Sequence, residues 1–349
     1  MTLSQIRAVI PEKYMRPDTG RALFSIALGV IFYAAALAFG VYIYSRNLWF
    51  LFPVFWILAG SAVTSLFILG HDCGHYSLLR SRAWMVWLGH FFLLPAFYPF
   101  FAWKHSHDAH HKHTNLLSRN ETIYFDNASI PYTPDEYREL KRKDPITALA
   151  YRVARIFPPA GAWMHLLFYH FQPGLYKEEH RKNVYLSYAF MVAAALLLIA
   201  VSLRLTGGLW PLVFFWFLPA LVFQAWMAVY TFLHHTSEQT PFFSKVDWNP
   251  VLGQVRSTIN CLFPRWISFL HFNIDIHLPH HAAATIPGYW LRHAGRAIKN
   301  SEYGYLVKEV KFSWGYLIEQ MEKCRLFDER TKKYVTFRPS APQSVSDGV

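Results

Sequence analysis

Three short histidine clusters hold the residues best suited to chemistry: His71-Asp72-Cys73-Gly74-His75, His107-Asp108-Ala109-His110-His111 and His277-Leu278-Pro279-His280-His281. On a helix, positions three and four apart share a face. The two imidazoles of the first cluster and the three of each HxxHH can therefore converge on metal. Pro279 is compatible with this only near a helix start. The clusters offer two, three and three histidines. A zinc site takes four ligands, and usually three protein ligands when it is catalytic. Eight are too many for one ion, so two metals are implied. Imidazole suits zinc, copper, iron and nickel alike, which leaves the metal open. Histidines that merely tune surface pH would be scattered rather than repeated at HxxHH spacing.

His235 is a ninth candidate, and its neighbour His234 points elsewhere on a helix, so at most one of the pair binds directly. His90, His105 and His113 are weaker, either supporting a ligand or sitting at an interface. His165, His170, His180, His271 and His293 read as non-ligands.

Positioning these clusters falls to long apolar segments. A bilayer core takes about 20 apolar residues in helix. Four segments qualify: Ala22–Tyr44, Leu48–Gly70, Val184–Leu203 and Leu209–Leu233. They form two hairpins with short connections around Arg46 and around Gly207-Gly208. A fifth apolar stretch, Trp84–Trp103, is interrupted by Pro95 and Pro99 and reads as re-entrant or interfacial. With two spans before the first cluster and two more before the third, all three clusters fall on one side of the bilayer. The expected fold is thus all-α: four transmembrane helices in two hairpins, the interfacial element, and a cytoplasmic helical cap that holds the metal site. Residues 1–340 read as one membrane domain and 341–349 as a disordered Ser/Pro/Gly-rich tail.

Composition agrees with a membrane class. The 349 residues are 53% hydrophobic and 18% aromatic, with a net charge of +12. The basic residues lie between apolar spans and form no single patch, which argues against nucleic-acid binding. Arg46 and Arg204 mark the outer loops, whereas Arg7, Lys13, Arg16, Arg21, Arg80, Arg82, Lys104, Lys112 and the run Lys141-Arg142-Lys143 mark the other side. The positive-inside rule then puts both termini and the clusters in the cytoplasm. Ile146–Phe157 combines apolar and basic residues like a helix lying on the membrane. Three cysteines make no disulfide framework and fit a reducing compartment. The charged, proline-broken first twenty residues show no cleavable signal.

The motifs HDCGH, HDAHHKHTN and HLPHH resemble the three boxes of membrane fatty acid desaturases. Pro99-Phe100-Phe101-Ala102-Trp103 before the second box adds to the match, as do Phe263-Pro264-Arg265-Trp266 before the third and Ile286-Pro287-Gly288-Tyr289 after it. Together they are most similar to the bacterial and cyanobacterial acyl-lipid delta-12 (omega-6) branch. The resemblance covers about Gly70 to Arg292. It implies a non-haem di-iron centre, O2 as oxidant, two electrons from a carrier, and a cis double bond introduced into an acyl chain. The ligands it implies are His71, His75, His107, His110, His111, His277, His280 and His281, with His235 from the end of the fourth span. That branch usually has glutamine where this chain has His234.

Asp72, Asp108 and Asp275 would orient imidazoles through their second ring nitrogen. No His-Pro-Gly-Gly haem motif is present, so the donor is expected to be a separate protein, ferredoxin by analogy, met by the basic face. The expected location is the bacterial inner membrane, with lipid acyl chains as partners. Two rival readings are a hydroxylase or ketolase of alkanes or carotenoids on the same metal framework, and a metal transporter. A transporter would place its ligands inside the spans.

Overall fold

The computed structural model describes residues 1–118 and 130–337, so the tail 341–349 lies outside the described residues. Helix α1 (Thr19–Ser45) is started by Asp18, whose carboxylate accepts from the Arg21 amide at 2.9 Å. Helix α2 (Phe52–Gly74) begins with Pro53 in its first turn, where the missing N–H costs nothing. Between them the chain turns at Asn47, in the left-handed region at φ 56°.

Helix α3 (Arg82–Leu93) is capped by Ser81 and runs into a short 3-10 turn, Leu94–Ala96. Helix α4 (Phe100–His113) then departs at 94° from that direction. Two prolines produce the break: Pro95 tightens the end of α3 and Pro99 precedes the first turn of α4. The sequence expectation of an interrupted apolar element agrees with this bend.

Helices α5 (Pro134–Lys143), α6 (Pro145–Ile156) and α7 (Pro158–His165) follow, each with proline in its first turn. Helix α8 (Glu178–Thr206) ends on Gly207, whose φ of 69° is open to glycine and strained for other residues. After a π-helical turn, Val213–Phe217, helix α9 (Leu218–His235) completes the long helices. Within 236–337 lie α10 (Leu278–Ala282), α11 (Gly288–Lys299) and two small strand pairs. In one of these pairs, β1 (Asn260–Leu262) runs parallel to β2 (Glu309–Lys311).

Four helical stretches are long and apolar enough to cross a membrane: Glu12–Ser45, Trp49–Gly74, Glu178–Thr206 and Trp210–His235. The second is the most enclosed, because α2 packs against α1, α3 and α9 together. Close contact between α2 and α9 depends on Gly60, where a Cβ would stand 2.5 Å from Val222 Cβ and 2.6 Å from the Pro219 carbonyl oxygen. Large aliphatic side chains such as Ile31, Leu196 and Leu197 point outward, as lipid-facing residues do.

The helices overrun the apolar runs by which they were read. Helix α2 continues from Gly70 to Gly74, and α9 from Leu233 to His235. Hydropathy marks where the apolar sequence stops, whereas the backbone ladder continues wherever i→i−4 bonds remain available. These extensions carry histidines.

Candidate metal centre

Each histidine-bearing element ends in the same region. Helix α2 presents His71 in its last turn and His75 at its cap, and α4 presents His107, His110 and His111. Helix α9 ends on His235, and His277 caps α10, which carries His280 and His281. Nine imidazoles assemble into two groups. One comprises His71, His75, His107, His111 and His280, and the other His110, His235, His277 and His281. Within each group the candidate ligand atoms lie within 4.8 Å of one another.

Neither HxxHH serves a single ion. In the second box His107 and His111 join one group and His110 the other, while in the third box His277 and His281 join the second group and His280 the first. Helix geometry accounts for the split. At about 100° per residue, i+4 falls roughly 40° to one side of i and i+3 roughly 60° to the other. Convergence of all three imidazoles was the simpler expectation, and this divergence replaces it.

The nitrogens face each other closely. His71 Nε2 and His280 Nε2 are 3.0 Å apart, and His107 Nε2 and His111 Nε2 are 3.2 Å apart. In the other group, His235 and His277 Nε2 atoms stand at 3.1 Å, and His277 and His281 at 3.0 Å. Two ligands at right angles around an ion about 2.1 Å away would be about 3.0 Å apart. His75 Nε2 is buried with no hydrogen-bond partner. Burial, then the neighbouring imidazoles, push the pKa values of His277, His280 and His281 well below the usual histidine range. The neutral form thereby favoured is the one that ligates. The donor set therefore fits a pair of imidazole-preferring transition metals.

The supporting contacts differ from expectation in part. Asp72 Oδ1 lies 3.1 Å from His71 Nδ1, while its Oδ2 accepts from the Gly288 amide at 2.7 Å. Asp108 turns away from the imidazoles and takes Lys104 Nζ at 2.7 Å on the half-exposed side of α4. Asp275 accepts from Ser268 Oγ at 2.6 Å and the Phe263 amide at 3.2 Å, bracing the turn before the third box instead of an imidazole.

Two unforeseen residues do that local work. Asn260 Oδ1 accepts from both the His277 and Leu278 amides at 2.9 Å, fixing the start of α10. Thr114 donates its hydroxyl to the His110 carbonyl and lies 3.4 Å from His281 Nδ1, from which it can accept. Asn260 belongs to no motif quoted above, and Thr114, though inside HDAHHKHTN, has a role that spacing does not flag.

His234 joins neither group and stacks on His277 with centroids 4.1 Å apart. His90 Nε2 lies 3.1 Å from Ser187 Oγ, which itself accepts from the Phe101 amide at 3.0 Å. His105 stacks on His180, His113 approaches Trp248, His271 meets the Tyr230 hydroxyl and His293 packs on Tyr14. None of these belongs to either group.

A cavity of about 590 Å³ leads away from His71, His107, His110, His235 and His277. Phe67, Ile68, Met227 and Phe232 line it, with α6, α7 and the segment through His165 and His170 forming its far wall. That volume suits a drug-sized apolar ligand.

A family model for fatty acid desaturases matches residues 46–312. The chain belongs to the fatty acid desaturase family. It is 32% identical over 327 residues to the sn-1 oleoyl-lipid 12-desaturase of Anabaena variabilis, covering 94% of this chain and 90% of that protein. To the Arthrospira platensis protein of the same description it is 35% identical over 269 residues, 77% of this chain and 74% of that one. The chloroplastic omega-6 fatty acid desaturase of Spinacia oleracea is 29% identical over 352 residues, 98% of this chain and 73% of its own length. The desaturase is accordingly a membrane oxidoreductase acting on lipid acyl chains. Its histidine groups and these relatives favour desaturation over the hydroxylase and transporter readings.

Proposed function

We propose that this desaturase introduces a cis double bond of the delta-12 (omega-6) type into acyl chains of membrane lipids, using O2. The observation that carries the reading is two clustered imidazole sets opening onto one largely apolar cavity. We assign His71, His75, His107, His111 and His280 to one iron and His110, His235, His277 and His281 to the other. Two iron ions held there would supply the redox chemistry by which O2, two electrons and two protons remove two hydrogens from adjacent CH2 groups and yield two waters. The chain's own part is positional. Asp72 orients His71, Thr114 orients His281, and Asn260 sets the turn that aims His277. The apolar cavity walls hold the hydrocarbon and exclude water from the reacting carbons.

The relatives' named substrate, an oleoyl lipid, supports the position of the new bond. A separate acidic carrier such as ferredoxin would supply electrons at Lys112, Lys141, Arg142 and Lys143, all exposed. Lys104 is mostly covered and pairs with Asp108, so it adds little to that surface. The active site and termini face the cytoplasm of a bacterial inner membrane in this reading. Expression in a bacterium with simple lipids, followed by mapping of new double bonds, tests it. A hydroxylated product with no new double bond would overturn it.

A further inference from the structure

Helix α6 has two faces that do different things. Ile146, Leu149, Val153 and Ile156 form one exposed apolar stripe, at i, i+3, i+7 and i+10. Thr147, Ala150, Tyr151, Ala154 and Arg155 line the cavity that leads from the histidine groups, and Ile146, at the start of the helix, borders both that cavity and the outer stripe. The helix is therefore a single-layer wall between that cavity and the outside. Its outer side is too apolar for water, with Ile146 80% exposed and Leu149 61%. The run Lys141-Arg142-Lys143 immediately precedes it, the composition of a helix seated at an anionic bilayer surface. Farther along the same cavity, Phe168 is also exposed.

The wall is fastened to the C-terminal segment through Tyr151, Arg152, which lies over the Phe337 ring, and Arg155, whose carbonyl accepts from the Arg325 guanidinium. The Tyr151 hydroxyl donates to the Arg325 carbonyl at 2.6 Å and accepts from the Tyr132 amide at 3.1 Å. On the cavity side, the small Thr147, Ala150 and Ala154 stand beside the larger Ile146, Tyr151 and Arg155.

We propose that α6 is a lateral gate whose outer stripe lies in the lipid leaflet, so that an acyl chain passes into the cavity directly from the bilayer. This rests on the desaturase reading above. It commits the substrate's source to the membrane rather than to a soluble thioester carrier, because the wall beside the cavity faces lipid. Tyr151 acts as a positioning residue that ties the gate to the C-terminal segment.

The test uses the full chain in vesicles of dioleoyl lipids. A nitroxide is attached at Leu149→Cys, since the three native cysteines are buried. Dissolved O2 should relax the label several-fold more effectively than a water-soluble nickel chelate, and the opposite order would overturn the gate. In a second arm, wild-type enzyme with reduced ferredoxin receives oleoyl groups either as lipid of its own vesicle or as a soluble oleoyl thioester. Turnover of the lipid should exceed that of the thioester by about tenfold or more, and equal turnover would overturn the proposal. Ala150→Trp, which intrudes on the cavity face, should slow lipid turnover by about tenfold at unchanged iron content; unchanged turnover counts against the route. If wild-type enzyme makes no double bond from either source, the desaturase reading itself fails, while the nitroxide measurement still decides where α6 lies.

Discussion

Replacing Asp72 by asparagine isolates the one carboxylate, among the described residues, that touches a histidine of the centre. Asp72 is 3% exposed, and its two oxygens serve separate donors, His71 Nδ1 at 3.1 Å and the Gly288 amide at 2.7 Å. An asparagine of the same shape keeps one acceptor oxygen and turns the other position into an NH2 donor. One of the two contacts must then become donor against donor, whichever way the amide is turned. A hydrogen bond to a charged group is worth about 1.5–3 kcal/mol, and leaving its buried donor unmade adds a similar penalty. Loss of a partner that orients a ligating imidazole lowers metal affinity by about 10–100-fold. Asp72→Asn is therefore expected to lose iron in that range during a graded chelator challenge, read as iron per chain by elemental analysis, and to unfold earlier on heating. Asp108→Asn is the matched control, because its carboxylate meets only Lys104 among the contacts described above. Wild-type iron retention in Asp72→Asn, or equal loss in both variants, would refute the assignment.

His235→Gln should lose iron, whereas His234→Gln should keep it, since only His235 belongs to a group; elemental analysis of the two purified variants compares them directly. Gly60→Ala drives a methyl against Val222 and the Pro219 carbonyl, forcing α2 and α9 apart. It should cost about 1–3 kcal/mol, seen as a lower thermal midpoint together with reduced iron, because the two helices carry His71, His75 and His235. Acid should destabilise the metal-free protein. Burial holds His277, His280 and His281 below their ordinary range, so the unfolded chain binds protons that the fold refuses. Their contribution is fully present above the unfolded value of about 6.5 and is lost as pH falls below it. Thermal scans in detergent across that range should show the midpoint falling toward acid, and a flat profile would contradict the burial.

Much of this architecture is legible in the sequence because bilayers impose length and polarity so strictly. The four apolar runs, the proline-broken element near Pro95 and Pro99, and the three histidine clusters all follow from local pattern. What local pattern does not carry is direction in three dimensions. Spacing puts His110 to one side of His107 and His111 on the helix, but which partners each side meets is set by the packing of α4 against its neighbours. Asp108 adjoins a histidine in sequence yet points about 100° away from it on the helix, where Lys104 is within reach. Asn260 acts on His277, 17 positions distant, and Thr114 on His281, 167 positions distant, contacts that local spacing does not read.

The exchange of imidazoles between the two groups has a bearing on how the enzyme acquires its metals. Helices α4 and α10 each contribute to both groups, so seating an ion in either one fixes the backbone that carries ligands for the other. The first ion bears the ordering entropy and the second finds its ligands already aimed. Filling is then expected to be cooperative: a population short of metal should divide into empty and fully charged molecules, with few half-filled ones. If the two groups hold iron as proposed, a chain loaded in this way is seldom left half-charged.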